Sequence, residues 1–495
     1  MTATLFTAPD PATAIRRRQL LIDGQFVDAA DGAEFDVFNP STGEVMCRVA
    51  EAGPEDVDRA VAAARRAFED GPWRHFTPLE RSKAIWRLGD LIAEHAEEIA
   101  QVETLDQGKP YQLALNGDVP SAANLFYYMS GFATKIEGEV IPISAPGNWH
   151  AYTTREAIGV VGLIVPWNFP LVIASWKVAP ALAAGNTVVL KPSEMTPLSA
   201  LLMGELALEA GIPPGVLNVV PGFGARAGQT LTEHPGVDKI SFTGSTATGR
   251  RIIDASKGNL KRLTLELGGK SANMIFPDAD LDAAIAGSAA GIFFNAGQAC
   301  AAASRLYVHA DVFDYVVEGI ADVARGIKVG DGFDPASEIG PLASLEHLNR
   351  VSGFLQSGFD EGARAVTGGV RLGEKGYFVA PTVFDDVNPS QRVVREEIFG
   401  PVVVAQRFTN EAEVIASAND TQYGLAGAIW TKDVSRAHRV ASKVRTGTMW
   451  VNCYGVFDPA LPFGGFKASG WGREMGHEVL HHYTEVKSVI VNLEA

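Results

Sequence analysis

From about residue 157 the chain settles into one repeated pattern. A short β-branched run without a polar face is followed by a turn, a helical stretch and another such run. "IGVVGLIV", "TVVLK", "VLNVV", "KISF" and "RLTLE" are the runs, and "PLSALLMGELALEAG" is one of the helical stretches between them. A strand that is apolar on both faces needs both faces covered, which places it in a parallel sheet with helices on either side. The pattern predicts a Rossmann-like, doubly wound α/β unit whose ligands gather at the carboxyl ends of its strands.

A second α/β series follows "LELGGK". Its runs are "NMIF", "RLYVH", "VVVAQRF", "AGAIWT" and "TGTMWVN", with helical patterns at about 311–327 and 433–445. Two units joined near Glu266 would leave a cleft between them, the natural place for chemistry. Upstream, "TPLERSKAIWRLGDLIAEHAEEIA" opens with Thr77, Pro78 and Glu80, a capping-box start. Ile85, Leu88, Ile92 and Ile99 then recur at helical spacing and predict one long amphipathic helix. At 495 residues the chain is long enough for two or three domains.

The formal net charge is -16, which disfavours nucleic acid or an anionic membrane as partner. Gly159 to Trp176, the longest apolar stretch, is broken by Pro166, Asn168 and Pro170 and falls short of a membrane span. The apolar run after Arg16-Arg17-Arg18 meets Asp23 too soon for a signal peptide. Cys47, Cys300 and Cys453 are scattered and form no CxxC, so no disulfide framework is expected and a cytoplasmic location is.

Cys300 lies in "GIFFNAGQACAAASR", among neighbours too small to cover it. A free cysteine is most often a small buried apolar group. Flanked by Ala299 and Ala301 after a helix that starts near Asp280, it has a second reading, which the residue alone does not favour: an approachable thiol, able to attack a carbonyl as thiolate. Three other blocks favour the second reading. "FTGSTATG", residues 242–249, follows a strand and opens a helix, so Gly244 and Gly249 allow backbone to approach a phosphate at the helix N-terminus. "LELGGKS" puts Glu266 at a strand end, where burial would raise its pKa and let it deprotonate water. "VPWNFP" holds Asn168 between two prolines, an amide donor fixed where an oxyanion would form.

With "KPSEMTPL", "GQAC", "EEIFGPV" and "LPFGGFKASGWGRE", these blocks resemble the aldehyde dehydrogenase superfamily in order and approximate spacing, over nearly the whole chain. The resemblance implies the aldehyde dehydrogenase fold, with an NAD-binding domain at 1–133 and 157–267, a catalytic domain at 268–476, and a small β oligomerisation arm at 134–156 and 477–495. It implies Cys300 as nucleophile and Glu266 as general base, with Asn168 and the Cys300 backbone N–H as oxyanion hole. NAD would be the cofactor, and no metal is implied. Its site would comprise Pro166, Trp167, Lys191, Ser193, Glu194, Gly224, Phe242, Gly244, Ser245, Gly249, Leu267, Glu397 and Phe399. Glu194 near the ribose 2′-hydroxyl would favour NAD over NADP, since a carboxylate repels a 2′-phosphate.

Phe169, Trp176, Phe294 and Phe457 match the family's substrate funnel, and no basic residue accompanies them. An aryl-alkyl or medium-chain aldehyde is the expected substrate, and "FTGSTATG", "GQACAAASR" and "DPALPFGG" are most similar to phenylacetaldehyde dehydrogenases. The arm segments read as strands with exposed edges that a partner subunit would cover, giving a homodimer or homotetramer. Ala296, where the family often has a polar residue, and Ala157, where it often has proline, depart from the pattern without touching the implied chemistry. Two rival readings stand beside this one: a catalytically silent protein on the same fold, and a zinc protease using His477, Glu478 and His481 of "HEVLH".

Overall fold

The computed structural model describes residues 8–494; residues 1–7 and 495, the ends of the first and last expected segments, lie outside them. The first series of apolar runs forms the strands Val160–Ile164, Thr187–Lys191, Leu217–Val219, Lys239–Thr243 and Arg262–Glu266. Adjacent members of this set pair in parallel. Their order, with Leu217–Val219 at one end and Arg262–Glu266 at the other, reverses direction at Val160–Ile164. The next strand in the chain lies to one side of it and the fourth to the other, so a crevice opens at the carboxyl ends of Val160–Ile164 and Lys239–Thr243. Ile164 pairs with both Lys191 and Phe242, and Glu266 with Thr243, so these strands end nearly level.

The sheet is completed by pieces the periodicity does not reveal. An antiparallel hairpin, Leu20–Ile22 and Gln25–Val27, adds to the Leu217–Val219 edge through Leu21 and Val219. Gly470–Trp471 adds antiparallel to Arg262–Glu266, bringing the end of the chain back to the first sheet. Strands this short carry too few side chains to show a period of two.

The second series forms the strands Ala272–Ile275, Arg305–His309, Val402–Phe408, Ala426–Trp430 and Thr448–Val451, joined on one side by Thr382–Asp385 and Arg364–Thr367. All pairs are parallel except the outermost, between Arg364–Thr367 and Thr382–Asp385. Only residues 267–271 join Arg262–Glu266 to Ala272–Ile275. The carboxyl end of the first sheet therefore faces the amino end of the second. Segments entering the second sheet, before Ala272, Arg305 and Val402, converge there: Arg305 N–H donates to Ser271 O at 3.1 Å, and Val404 N–H to Ser304 O at 3.0 Å.

The helix expected from Thr77 onward has its capping box, with the Thr77 N–H donating to Glu80 Oε2 at 2.7 Å and the Glu80 N–H to Thr77 Oγ1 at 3.3 Å. It is shorter than the periodicity suggests. The helix Pro78–Glu94 stops at His95, and Ile99 belongs to a second helix, Ala96–Gln107. His95 at φ -98° and ψ 22° caps one and opens the next, a backbone break that side-chain spacing does not register. Of the arm, Trp149–Ala157 and Thr484–Asn492 pair with each other, antiparallel in unbroken register. Among the described residues no helix is long and apolar enough to cross a membrane.

Candidate active site

Cys300 is positioned by a strained turn. The helix Leu281–Phe293, capped by Asp280, gives way to residues 294–297, where Asn295 and Ala296 hold φ of 50° and 54° and Gly297 φ 71°. Each left-handed non-glycine residue costs about 1–2 kcal/mol, so neighbours must hold the turn. Gln298 does much of this. Its Oε1 accepts from the Ala343 N–H at 2.9 Å, and its Nε2 donates to Asn295 O at 3.1 Å. The glutamine two places before the cysteine thus pins the loop, and the alanines beside Cys300 leave the thiol facing open space.

That space is a cavity of about 360 Å³. Cys300 and Glu266 both line it, as do Phe169, Trp176, Phe294 and Phe457, the four expected funnel residues. Phe169 and Phe294 stack at 5.8 Å, and Phe457 meets Phe463 edge-on at 5.4 Å. Trp450 and Tyr454 complete the wall. The Tyr454 hydroxyl donates to Ala301 O at 2.6 Å, bracing the nucleophile loop. Neither belongs to a motif, so only the fold reveals them. No lysine, arginine or histidine is among the lining residues.

The electrostatics suit a resting thiol. Burial pushes the Cys300 thiol up to about 12, with the charges of Glu266 and Glu397 adding to the effect. Burial also lifts the Glu266 carboxyl well above the usual range; the Glu474 charge adds, while Lys177, Arg473 and the Gly465 N–H oppose. Lys177 and Glu474, both fully buried, form an ion pair that also takes in the Ser241 hydroxyl. Asn168 is 2% exposed and is not among the residues that line the cavity, although its neighbour Phe169 is. Its Nδ2 donates to Gln298 O at 2.9 Å, which commits one of the two amide hydrogens.

The expected coenzyme residues collect at the crevice. Lys191 ends its strand, and its buried Nζ donates to Pro192 O at 2.9 Å and lies 3.4 Å from Glu194. Burial lowers its pKa. Ser193 Oγ accepts from the Met195 N–H at 3.3 Å, fixing the turn between them. Ser245 caps the helix Thr246–Ala255, its Oγ accepting from the Thr248 N–H at 3.1 Å. A Cβ at Gly244 would lie 2.5 Å from the Phe242 ring, and one at Gly249 2.8 Å from Leu267, so both glycines serve close packing. Gly224, exposed with nothing within 4 Å of a would-be Cβ, opens a turn whose Gly228 packs on Lys191.

Across the cleft, Glu397 Oε1 accepts from the Gly269 N–H at 2.9 Å. Burial pushes its carboxyl up to about 7, opposed by that N–H and by Arg350 and Lys270. Phe399 holds φ 65° and meets Trp167, which follows Pro166 at the end of the strand Val160–Ile164, edge-on at 5.3 Å. His347 Nε2 donates to Phe399 O at 2.7 Å, and Arg350 to Glu397 O at 2.7 Å. Sequence patterns point to neither His347 nor Arg350. The residues fit a dinucleotide. The open backbone at Gly224 and a capped helix N-terminus at Ser245 suit phosphate, and carboxylates at Glu194 and Glu397 suit ribose hydroxyls.

The zinc reading fails on geometry. Glu478–His482 is a 3₁₀ turn with His477 outside it, and positions four apart on such a turn point about 120° from one another. Among the described residues no cluster of histidine, cysteine and acidic side chains is arranged to hold a metal ion.

The doubly wound sheet with its crevice, together with a cavity that Cys300 and the buried Glu266 both line, is the arrangement of a coenzyme-dependent oxidoreductase. The sequence profile of the aldehyde dehydrogenase family matches residues 26–489. The Bacillus subtilis (strain 168) protein DhaS, itself classed with the aldehyde dehydrogenases, is 52% identical over 96% of this chain and 96% of its own. The mitochondrial benzaldehyde dehydrogenase of Antirrhinum majus is 47% identical over 98% of this chain and 90% of its own. The NAD+ complex of a Bacillus cereus aldehyde dehydrogenase superposes with a TM-score of 0.97 at 48% identity, covering 99% and 100% of the two chains. The chain belongs to the aldehyde dehydrogenase family and is an NAD-dependent aldehyde oxidoreductase.

Proposed function

We propose that the enzyme oxidises an apolar aryl-alkyl or medium-chain aldehyde to its acid through a thioester on Cys300. The observation that carries this reading is the single cavity sharing Cys300, Glu266 and an aromatic wall without a basic side chain. Cys300 Sγ, once its proton has passed to solvent, adds to the carbonyl carbon and gives a tetrahedral alkoxide. Asn168 Nδ2 and the Cys300 backbone N–H stabilise that alkoxide, each such donor being worth roughly 3–4 kcal/mol of barrier. NAD, when bound at the crevice, supplies the hydride acceptor. Glu266 then takes a proton from the water that hydrolyses the thioester, a task for which a carboxyl of raised pKa is suited.

The coenzyme is read as lying with its adenosine ribose by Lys191, Ser193 and Glu194. Its pyrophosphate is read at Gly224, Gly244, Ser245 and Gly249, with Phe242 packing Gly244 and Leu267 packing Gly249, and its nicotinamide ribose at Glu397. Pro166, Trp167 and Phe399 then flank the nicotinamide. Coenzyme domain (1–133, 157–267), catalytic domain (268–476) and arm (134–156, 477–495) are our division of the chain. The arm sheet exposes Val486 and Ile490, 58% and 62% accessible, which supports a homo-oligomer, dimer or tetramer. The scattered, unpaired cysteines support a cytoplasmic location. For the substrate, the name of the Antirrhinum relative points to an aryl aldehyde.

The test is an NADH-release screen over aromatic, aliphatic, carboxylated and quaternary-ammonium aldehydes, with acid product measured without coenzyme A. The apolar members should lead in kcat/KM by at least about tenfold, since each lost apolar contact or buried unpaired charge weighs that much or more. Preference for a charged aldehyde would refute the substrate class, and inertness toward the whole panel would revive the silent reading.

A further inference from the structure

We infer that Lys109 is a positioning residue for Asn168, and through it for the oxyanion site. The inference rests on the oxyanion reading of Asn168 above. Lys109 is 1% exposed. Its Nζ lies 3.4 Å from Glu103 and is ion-paired with Asp118, which also lines the cavity. The same ammonium donates to Asn168 O at 3.4 Å and stands 4.7 Å from the centroid of the Phe169 ring, the first apolar residue of the wall.

The chain is shaped to deliver this cation. Gly108, at φ 90°, ends the helix Ala96–Gln107, and Gln107 Oε1 accepts from the Lys109 N–H at 2.9 Å. A buried ion pair of this kind is seldom more stabilising than a well-packed apolar pair of the same volume. Stability therefore does not account for the charge. What an apolar pair could not do is donate to Asn168 O while facing Phe169. That carbonyl also accepts from Asn295 Nδ2 at 2.9 Å, from the left-handed turn that carries Cys300. With the amide of Asn168 on Gln298 O, the residue is gripped at both ends, and its second amide hydrogen has one direction left to point. Lys109 ties that direction to the helices behind the cavity.

The test uses the single-turnover rate of NADH formation with phenylacetaldehyde and enzyme in excess. Four proteins are compared: the wild type, Asn168→Ala, Lys109→Met with Asp118→Asn, and the three substitutions combined. Asp118→Asn removes one of the two anions that losing the cation would strand, and the other, the Glu103 carboxyl, is already lifted to about 7 by burial and goes neutral once Lys109 is gone. The paired variant should lose about tenfold in rate, since misplacing a reacting group by an ångström costs up to about a hundredfold. NAD affinity, read by tryptophan-fluorescence quenching, should stay within about twofold. If Lys109 acts through Asn168, the combined variant is within about twofold of Asn168→Ala alone, because residues acting on one contact are not additive. Losses that multiply, or a paired variant within about threefold of wild type, would overturn the proposal. An Asn168→Ala protein with the wild-type rate would sink the oxyanion reading and the proposal with it. Should the paired variant not fold, Asp118→Asn alone, which loosens the charged Nζ, should cost about threefold at unchanged NAD affinity. No loss there overturns the proposal too.

Discussion

At the scale of single residues, Cys300 and Glu266 make opposite predictions. Cys300→Ala should remove NADH formation entirely while leaving NAD bound with the wild-type Kd. Glu266→Gln should give a burst of NADH near one equivalent of enzyme followed by turnover slowed about a hundredfold or more, because only thioester hydrolysis loses its base. A slow variant without a burst would move Glu266 to an earlier step. Glu397 titrates where it matters. With its carboxyl lifted to about 7 by burial, it is partly protonated near neutrality, and under the proposed ribose-binding role its ionised form is the stronger acceptor for hydroxyl hydrogens. NAD should therefore bind tighter as pH rises from about 6 to 8. Isothermal titration should show that slope in the wild type and a flat response in Glu397→Gln. These residues were legible in sequence because each sits in a motif whose glycines and prolines fix the backbone around it. His347, Arg350 and Lys109 were not: each acts on a backbone carbonyl supplied by a remote segment, and a sequence carries no mark of that.

At the scale of elements, the legible parts were those with a period. Apolar runs marked the parallel strands of both sheets except Thr382–Asp385, and the "LELGGK" turn marked where the sheets meet. The hairpin Leu20–Val27 and the strand Gly470–Trp471 are too short to show alternation, and they are set by tertiary pairing. The break at His95 was hidden for the converse reason, since the apolar spacing runs through it while the backbone does not. The helix Thr246–Ala255 offers an element-level test. Its cap is the hydroxyl of Ser245, and Ser245→Ala should cost about 1 kcal/mol of stability. It should also raise the KM for NAD several-fold with kcat little changed. A thermal melt and a KM series check both, and a fall in kcat at constant KM would contradict this helix terminus as the phosphate site.

At the scale of the molecule, the architecture puts the carboxyl ends of one sheet against the amino ends of the other, so coenzyme crevice and thiol loop meet by construction. The arm lies outside that arrangement. Its strands, Trp149–Ala157 and Thr484–Asn492, pair with each other and leave Val486 and Ile490 on the surface. Val486→Asp with Ile490→Asp should shift the protein to a smaller species in light scattering while the isolated cavity chemistry persists. An unchanged mass would deny the arm its role in assembly. In the proposed chemistry the aldehyde carbon becomes bonded to Cys300 Sγ and leaves as an acid. The most direct measurement is mass spectrometry of Glu266→Gln quenched in acid after mixing with NAD and phenylacetaldehyde, followed by peptide mapping. The account predicts a single acyl group, two hydrogens lighter than the aldehyde adduct, on the peptide carrying Cys300. No acyl adduct, or one on Cys47 or Cys453, would contradict it.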